Sequence, residues 1–218
     1  MVKENSALVI LSGGQDSTTC LFLAKKKFTN IEAITFDYGQ RHRRELDCAK
    51  KLAELTGIKH KLVTIESLSQ LTDNAMMSDK EIKLNEANGL PTTFVPGRNL
   101  IFVTFAAAYA YERQIPNLIL GVSQVDYSGY PDCRRETIES LQQTISLGME
   151  FPFKIHTPLV DKNKYQTVML AQEVGALDYM QFTHTCYKGQ FPPCGECPAC
   201  QLRAKGFAQA SLADPLLN

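Results

Sequence analysis

The stretch SALVILSGGQDS (residues 6–17) decides the fold of this chain of 218 residues. A short apolar run ends abruptly at two glycines, which predicts a buried strand followed by a tight turn. Gly13 and Gly14 let backbone N–H groups approach an anion without a Cβ in the way. A helix that starts directly afterwards points the positive end of its dipole at the same place. The sequence therefore predicts a phosphate-binding strand–turn–helix unit.

The spacing around the glycines excludes two better-known phosphate loops. No lysine follows them as in the Walker pattern, and GxGxxG does not fit either. A purely structural alternative is a turn capped by Ser17, with Asp16 placed favourably against the helix dipole. Asp16 could also orient Mg²⁺, and the residues alone leave these roles open.

Downstream, the periodicity predicts further alternating elements. Strands are expected over residues 31–36, 61–65, 118–122 and 153–158, and helices over 18–27, 41–56, 98–113, 131–147 and from an Asp161 cap to about Gly175. This alternation predicts an α/β fold, an open parallel sheet with helices on both faces. Residues 66–97 are polar and too long for a simple loop, which favours a mobile lid; a linker with a short helix near Ser67 is the alternative.

Four cysteines near the C-terminus have metal-ligand spacing. Cys186, Cys194, Cys197 and Cys200 form C-x7-C-x2-C-x2-C. Four thiolates suit one tetrahedral, structural Zn²⁺ per chain. An iron–sulfur cluster fits less well, because Pro198 follows the middle cysteine of the run, and disulfide or redox chemistry is a further alternative. Cys20, Cys48 and Cys133 lie outside this set, and we expect them to be inert.

Length and composition suit one α/β domain over residues 1–218, with the four-cysteine segment (179–218) inside it. Lys and Arg number 23, as do Asp and Glu, and this balance argues against a nucleic-acid partner and for small substrates. The sequence shows no export signal, and its most apolar stretch, residues 100–111, is too short to span a membrane. We therefore expect a cytoplasmic protein that does not bind membranes.

Several segments together resemble one family. These are LSGGQDSTTCL (11–21), FDYGQRH (36–42), VPGRN (95–99), DYSGYPDCR (126–134), TPL (157–159) with Lys164 downstream, THTCY (183–187) and CGECPACQLRAKGF (194–207). They resemble the 7-cyano-7-deazaguanine (preQ0) synthases of queuosine precursor biosynthesis, which belong to the PP-loop ATP pyrophosphatases. Thr185 stands where the family pattern has serine, and residues 66–93 match weakly.

The resemblance implies a ligase that adenylates 7-carboxy-7-deazaguanine and, with ammonia, makes a nitrile, releasing AMP and pyrophosphate. It implies catalytic roles for Asp16, Arg98 and Lys164, with Mg²⁺ beside the phosphates. Residues implied in ATP binding are Leu11, Ser12, Gly13, Gly14, Gln15, Asp16, Ser17, Thr18, Thr19, Cys20, Leu21, Arg41 and His42. Residues implied in binding the deazapurine are Asp126, Tyr127, Tyr130, Asp132 and Arg134. We also expect a homodimer.

Each of these roles has an ordinary structural alternative. The basic run from Arg41 to Arg44 could be a solvated helix start, and Lys164 a surface residue. Asp126 and Asp132 could serve as turn and N-cap residues.

Three other functions fit the sequence less well. A tRNA thiolase would need a catalytic cysteine pair and a basic surface. An amidotransferase would need a glutaminase module, and a nucleic-acid-binding zinc ribbon would leave most of the chain unexplained.

Overall fold

A five-stranded parallel sheet forms the centre of the molecule. The computed structural model describes residues 1–83, 89–125 and 129–217. The strand order is β3-β2-β1-β4-β5, and all four neighbouring pairs are parallel. The strands are β1 (Ser6–Ile10), β2 (Asn30–Asp37), β3 (Lys59–Thr64), β4 (Asn117–Ile119) and β5 (Lys154–His156). The predicted open parallel sheet is confirmed.

Helices cover both faces of this sheet. They are α1 (Gln15–Lys27), α2 (Arg44–Thr56), α3 (Glu66–Leu71), α4 (Arg98–Glu112), α5 (Arg135–Gly148), α6 (Lys164–Val174) and α7 (Pro198–Gln209). Because side chains alternate along a strand, Leu8 of β1 packs towards α4 and α5, whereas Val9 packs towards α1 and α2. No helix in the described part of the chain is long and apolar enough to cross a membrane.

Several predicted boundaries were wrong by a few residues. Helix α1 begins at Gln15, not at residue 18, because extended Gly14 already serves as its N-cap. Helix α2 begins at Arg44, and β4 lies one residue earlier than expected and is shorter. The cap of α6 is Asn163, which forms a reciprocal capping box with Gln166. Asp161 instead forms an ion pair with Arg135.

The segment between α3 and α4 packs against the domain over its described part. Ala75 and Val95 are buried, and the Arg41 N–H donates to the Met76 carbonyl oxygen at 2.8 Å. The short helix of the alternative interpretation is present as α3. Residues 84–88, at the centre of the predicted lid, lie outside the described residues, so lid movement stays a prediction.

Candidate functional site

The turn between β1 and α1 has the geometry of an anion site. Gly13 has a φ of +83°, and a Cβ there would lie 2.2 Å from the Glu45 carbonyl oxygen, so only glycine fits. Among the described residues no side chain caps α1, which leaves its first N–H groups for a ligand. Ser17 is not the cap, because its hydroxyl donates to the Gly14 carbonyl and lies 3.0 Å from the Ser12 hydroxyl.

Asp16 and Lys164, two predicted catalytic residues, meet although they are 148 positions apart. The Lys164 Nζ lies 2.5 Å from Asp16 Oδ2, and the lysine side chain is only 14% exposed. The surface interpretation of Lys164 is therefore wrong. The other oxygen, Asp16 Oδ1, is buried and has no hydrogen-bond partner in the part of the chain that the structure describes. A buried acceptor in this state fits a cation or a ligand donor.

A cavity of about 270 Å³ opens from this turn across the carboxyl ends of β1, β2 and β4. Ligands bind at this edge of open α/β sheets. The predicted site residues that line it are Leu11, Ser12, Gly14, Gln15, Asp16, Ser17, Arg98, Tyr130 and Lys164. Other lining residues include Thr35, Tyr38, Gln40, Glu45, Tyr187 and Arg203. Both side-chain amide atoms of Gln15 are buried without a partner among the described residues.

The far corner of the cavity is aromatic and charged. The Tyr130 ring stacks on Phe94 at 5.5 Å between centroids, and its hydroxyl lies 2.6 Å from the Thr93 hydroxyl. Arg98 Nη1 donates to the Tyr38 hydroxyl at 3.4 Å. Burial raises the pKa of Glu45 to about 7, while Arg98 acts to lower it.

Sequence reasoning missed the roles of several residues in this corner. Tyr38 and Tyr187 lie in the quoted segments FDYGQRH and THTCY, so a signal existed for them. Glu45 gave no signal, because it looks like an ordinary acidic residue in the first turn of an amphipathic helix.

Some predicted ligand-binding residues lie away from the cavity. Arg41 is exposed and paired with Asp79, and the ring of His42 packs on Gly189. Arg134 is exposed. In the described structure these residues do not line the cavity, nor do Gly13, Thr18, Thr19, Cys20, Leu21 and Asp132.

Asp132 has a structural task that explains its burial. Its Oδ2 accepts a hydrogen bond from the Asn99 backbone N–H at 3.0 Å, which secures the first turn of α4. Asp132 thus lies at the start of a helix, as the N-cap alternative expected. The helix is α4, which comes from a different part of the chain. Asp126 and Tyr127 lie outside the described residues.

The four C-terminal cysteines converge. Their Sγ atoms all lie within 4.8 Å of one another, and those of Cys194 and Cys200 are 3.9 Å apart. Burial acts to raise the pKa of Cys194, but hydrogen bonds from the Cys197 and Glu196 backbone N–H groups and from the neighbouring Cys186 and Cys197 thiols together lower that pKa to about 7. The cluster could hold one metal ion.

This cysteine cluster is physically connected to the phosphate turn. The His184 backbone N–H, two residues before Cys186, donates to the Gly13 carbonyl oxygen at 3.0 Å. Helix α7, which begins directly after Cys197, carries buried Arg203, and this guanidinium forms an ion pair with Asp214. A Cβ on Gly206 of α7 would lie 2.8 Å from Lys164 Cβ, so glycine permits this close approach.

Comparison with known proteins gives matches over nearly the whole chain. The family model described as "Queuosine biosynthesis protein QueC" matches residues 6–211. A 7-cyano-7-deazaguanine synthase of Chromobacterium violaceum is 52% identical over 99% of this chain and 94% of its own length. The 7-cyano-7-deazaguanine synthase of Bacillus subtilis is 49% identical, over 95% and 96% respectively.

Solved structures share the fold at lower identity. The U34-tRNA thiolase NcsA from Methanococcus maripaludis, solved with its [4Fe-4S] cluster, is 22% identical and has a TM-score of 0.52, covering 94% of this chain and 66% of its own. A 4-thiouridine synthetase in complex with RNA and ATP is 16% identical with a TM-score of 0.52, covering 95% and 50%. At such identities the likeness supports the PP-loop fold alone.

Proposed function

The chain belongs to the family of the queuosine biosynthesis protein QueC, and from that premise we propose how its cavity carries out the reaction. It is a carbon–nitrogen ligase that uses ATP to convert 7-carboxy-7-deazaguanine and ammonia into 7-cyano-7-deazaguanine. The observation that best supports the proposed ATP site is the uncapped start of α1 beside the Asp16–Lys164 ion pair. The thiolase and zinc-ribbon alternatives are not favoured, because the near-full-length relatives are synthases.

The chemistry needs two activations because a carboxylate carries two oxygens and a nitrile none. A carboxylate oxygen attacks the α-phosphorus of ATP, and pyrophosphate leaves. Ammonia then attacks the acyl carbon, AMP leaves with the first oxygen, and loss of a proton gives the amide. The amide oxygen attacks a second ATP in the same way. Loss of AMP and of the remaining N–H protons forms the nitrile.

The residues of the turn are proposed to bind and orient the phosphates. The backbone N–H groups at the start of α1 would hold phosphate oxygens, with the hydroxyls of Ser12 and Ser17 beside them. Lys164 would offset negative charge that develops on the α-phosphate. Asp16 Oδ1 would hold Mg²⁺, a cation that prefers carboxylate oxygens and that supplies positive charge to the phosphates when bound.

We propose zinc for the cysteine cluster. A tetrahedron with Zn–S bonds of about 2.3 Å has edges of about 3.8 Å, close to the Cys194–Cys200 separation of 3.9 Å. An iron–sulfur cluster places its thiolates on separate irons and therefore further apart. Four thiolates close the coordination shell, so the ion would be structural.

The partners, the cellular location and the oligomeric state of the protein are also proposals. A net charge of zero supports small-molecule substrates without a nucleic-acid partner. Reduced cysteines that hold zinc suit the cytoplasm. The homodimer is still a prediction.

Product stoichiometry tests the proposed reaction. We expect two AMP and two pyrophosphate per nitrile from 7-carboxy-7-deazaguanine, but one of each from the corresponding amide, because the amide has already lost one oxygen. Mass spectrometry of the deazapurine with chromatography of the nucleotides measures both ratios. ADP as the stoichiometric product would contradict adenylation.

A further inference from the structure

Glu45 is a carboxylate in the cavity for which the adenylation steps have no task. It lies in the first turn of α2 and lines the cavity at the aromatic corner. Arg98 from α4 is the main electrostatic partner of Glu45. Burial raises the pKa of Tyr38 and Tyr187, and the negative charge of Glu45 acts in the same direction. Arg98, Tyr38 and Tyr187 come from three separate segments of the chain and line the same cavity as Glu45.

The Glu45 side chain is half-buried and lines the cavity, so a ligand there can reach its carboxylate. Among the described residues, Arg98 is the charged group that acts most strongly on it. Burial raises its pKa to about 7, which reflects the cost of ionising it in this setting. A carboxylate in such a place is stabilised by N–H donors from a ligand.

Two ligand chemistries can supply those donors. Ammonium would meet the carboxylate but also the guanidinium of Arg98, which repels a second cation. The pyrimidine edge of 7-deazaguanine has two adjacent N–H donors followed by a carbonyl acceptor. This order matches two carboxylate oxygens beside a guanidinium, whose five N–H groups are not exhausted by Tyr38.

We propose that Glu45 determines substrate specificity by accepting both N–H groups of the guanine-like edge, while Arg98 donates to the carbonyl oxygen. Tyr130 and Tyr187, both lining the same cavity, offer flat faces for the bicyclic ring. Asp132, one of the two acids expected to bind the deazapurine, is already engaged by the Asn99 N–H; the other, Asp126, lies outside the described residues. The inference rests on the proposed function, since it requires the deazaguanine substrate.

Steady-state kinetics of Glu45→Gln test the proposal. Glutamine has an NH₂ donor in place of the second carboxylate oxygen, so one substrate N–H would face a donor, and KM for 7-carboxy-7-deazaguanine should rise about 100-fold, as expected for a lost charged hydrogen bond. Uniform loss of binding leaves kcat unchanged, and KM for ATP should stay the same. Asp47→Asn is the matched control, because Asp47 is exposed in the same helical turn. Its kinetics should equal those of the wild type.

Wild-type protein gives an independent test that needs no folded variant. Isothermal titration calorimetry should show the analogue without the 2-amino group binding about 100-fold more weakly than 7-carboxy-7-deazaguanine, because one carboxylate oxygen is left unpaired. Equal affinity for the two compounds would overturn the inference. So would a Glu45→Gln protein with unchanged KM, or one whose only defect is a lower kcat. Failure of the wild type to convert the substrate would instead refute the proposed function.

Discussion

Asp16→Ala is expected to lower kcat/KM for pyrophosphate release about 1000-fold, the size of effect seen when one preorganised charge-stabilising group is removed. Asp16 Oδ2 lies 2.5 Å from Lys164 Nζ. Asp16 Oδ1 is buried and has no hydrogen-bond partner among the described residues. The substitution therefore removes a proposed cation ligand and releases a proposed catalytic lysine at once. The measurement is pyrophosphate release, coupled to inorganic pyrophosphatase, at saturating and at limiting ATP.

Three further variants show whether Asp16 acts as assigned. Lys164→Met should cost a similar factor, and the double variant should be little worse than either single one, because paired residues are not additive. Ser12→Ala, which removes a hydroxyl from the same turn, should also impair turnover. Glu136→Ala removes an exposed first-turn acid from α5 and should have no effect. Wild-type pyrophosphate release by both Asp16→Ala and Ser12→Ala would disprove the phosphate-loop assignment.

The sheet could be predicted from the sequence because each strand is indicated by the residues within it and directly beside it. The apolar run of β1 ends at Gly13 and Gly14, and each later strand repeats the alternation with a helix. Helix starts were less predictable, because more than one residue near a helix start can serve as its N-cap. Asp161 and Asn163 are both good N-caps, but Gln166 completes a capping box only with Asn163.

The parts of the candidate site that lie within one short segment could be predicted from the sequence. The parts formed by segments distant along the chain could not. The turn at residues 12–17 and the four cysteines have local spacing that indicates their chemistry. The environment of Glu45 depends on Arg98 and Tyr187, which are far from it along the chain, and no local pattern encodes that contact. The position of Asp132 could not be predicted for the same reason, because its carboxylate accepts a hydrogen bond from the N–H of Asn99 in another segment.

Cys197→Ser is expected to remove the metal and to destabilise the whole protein. The loss of one ligand from a four-thiolate site lowers metal affinity steeply, and the binding free energy of such a site is folding free energy. Zinc per chain should fall from about one to well below one-half, and Tm should fall by at least about 10 °C. Cys48→Ser is the matched control, because Cys48 is a half-buried cysteine outside the cluster.

The metal should also affect the ATP site, although a closed shell leaves no position for substrate. Backbone contacts join the two sites, since the His184 N–H holds the Gly13 carbonyl and the His184 carbonyl oxygen lies 3.5 Å from the position a Gly14 Cβ would take. Loss of the ion would loosen Cys186 and, with it, the turn that is proposed to bind phosphate. We therefore expect weaker nucleotide binding by calorimetry in the Cys197→Ser protein below its melting temperature, and not in Cys48→Ser. Elemental analysis that finds iron, or fully active protein without metal, would overturn the structural zinc assignment.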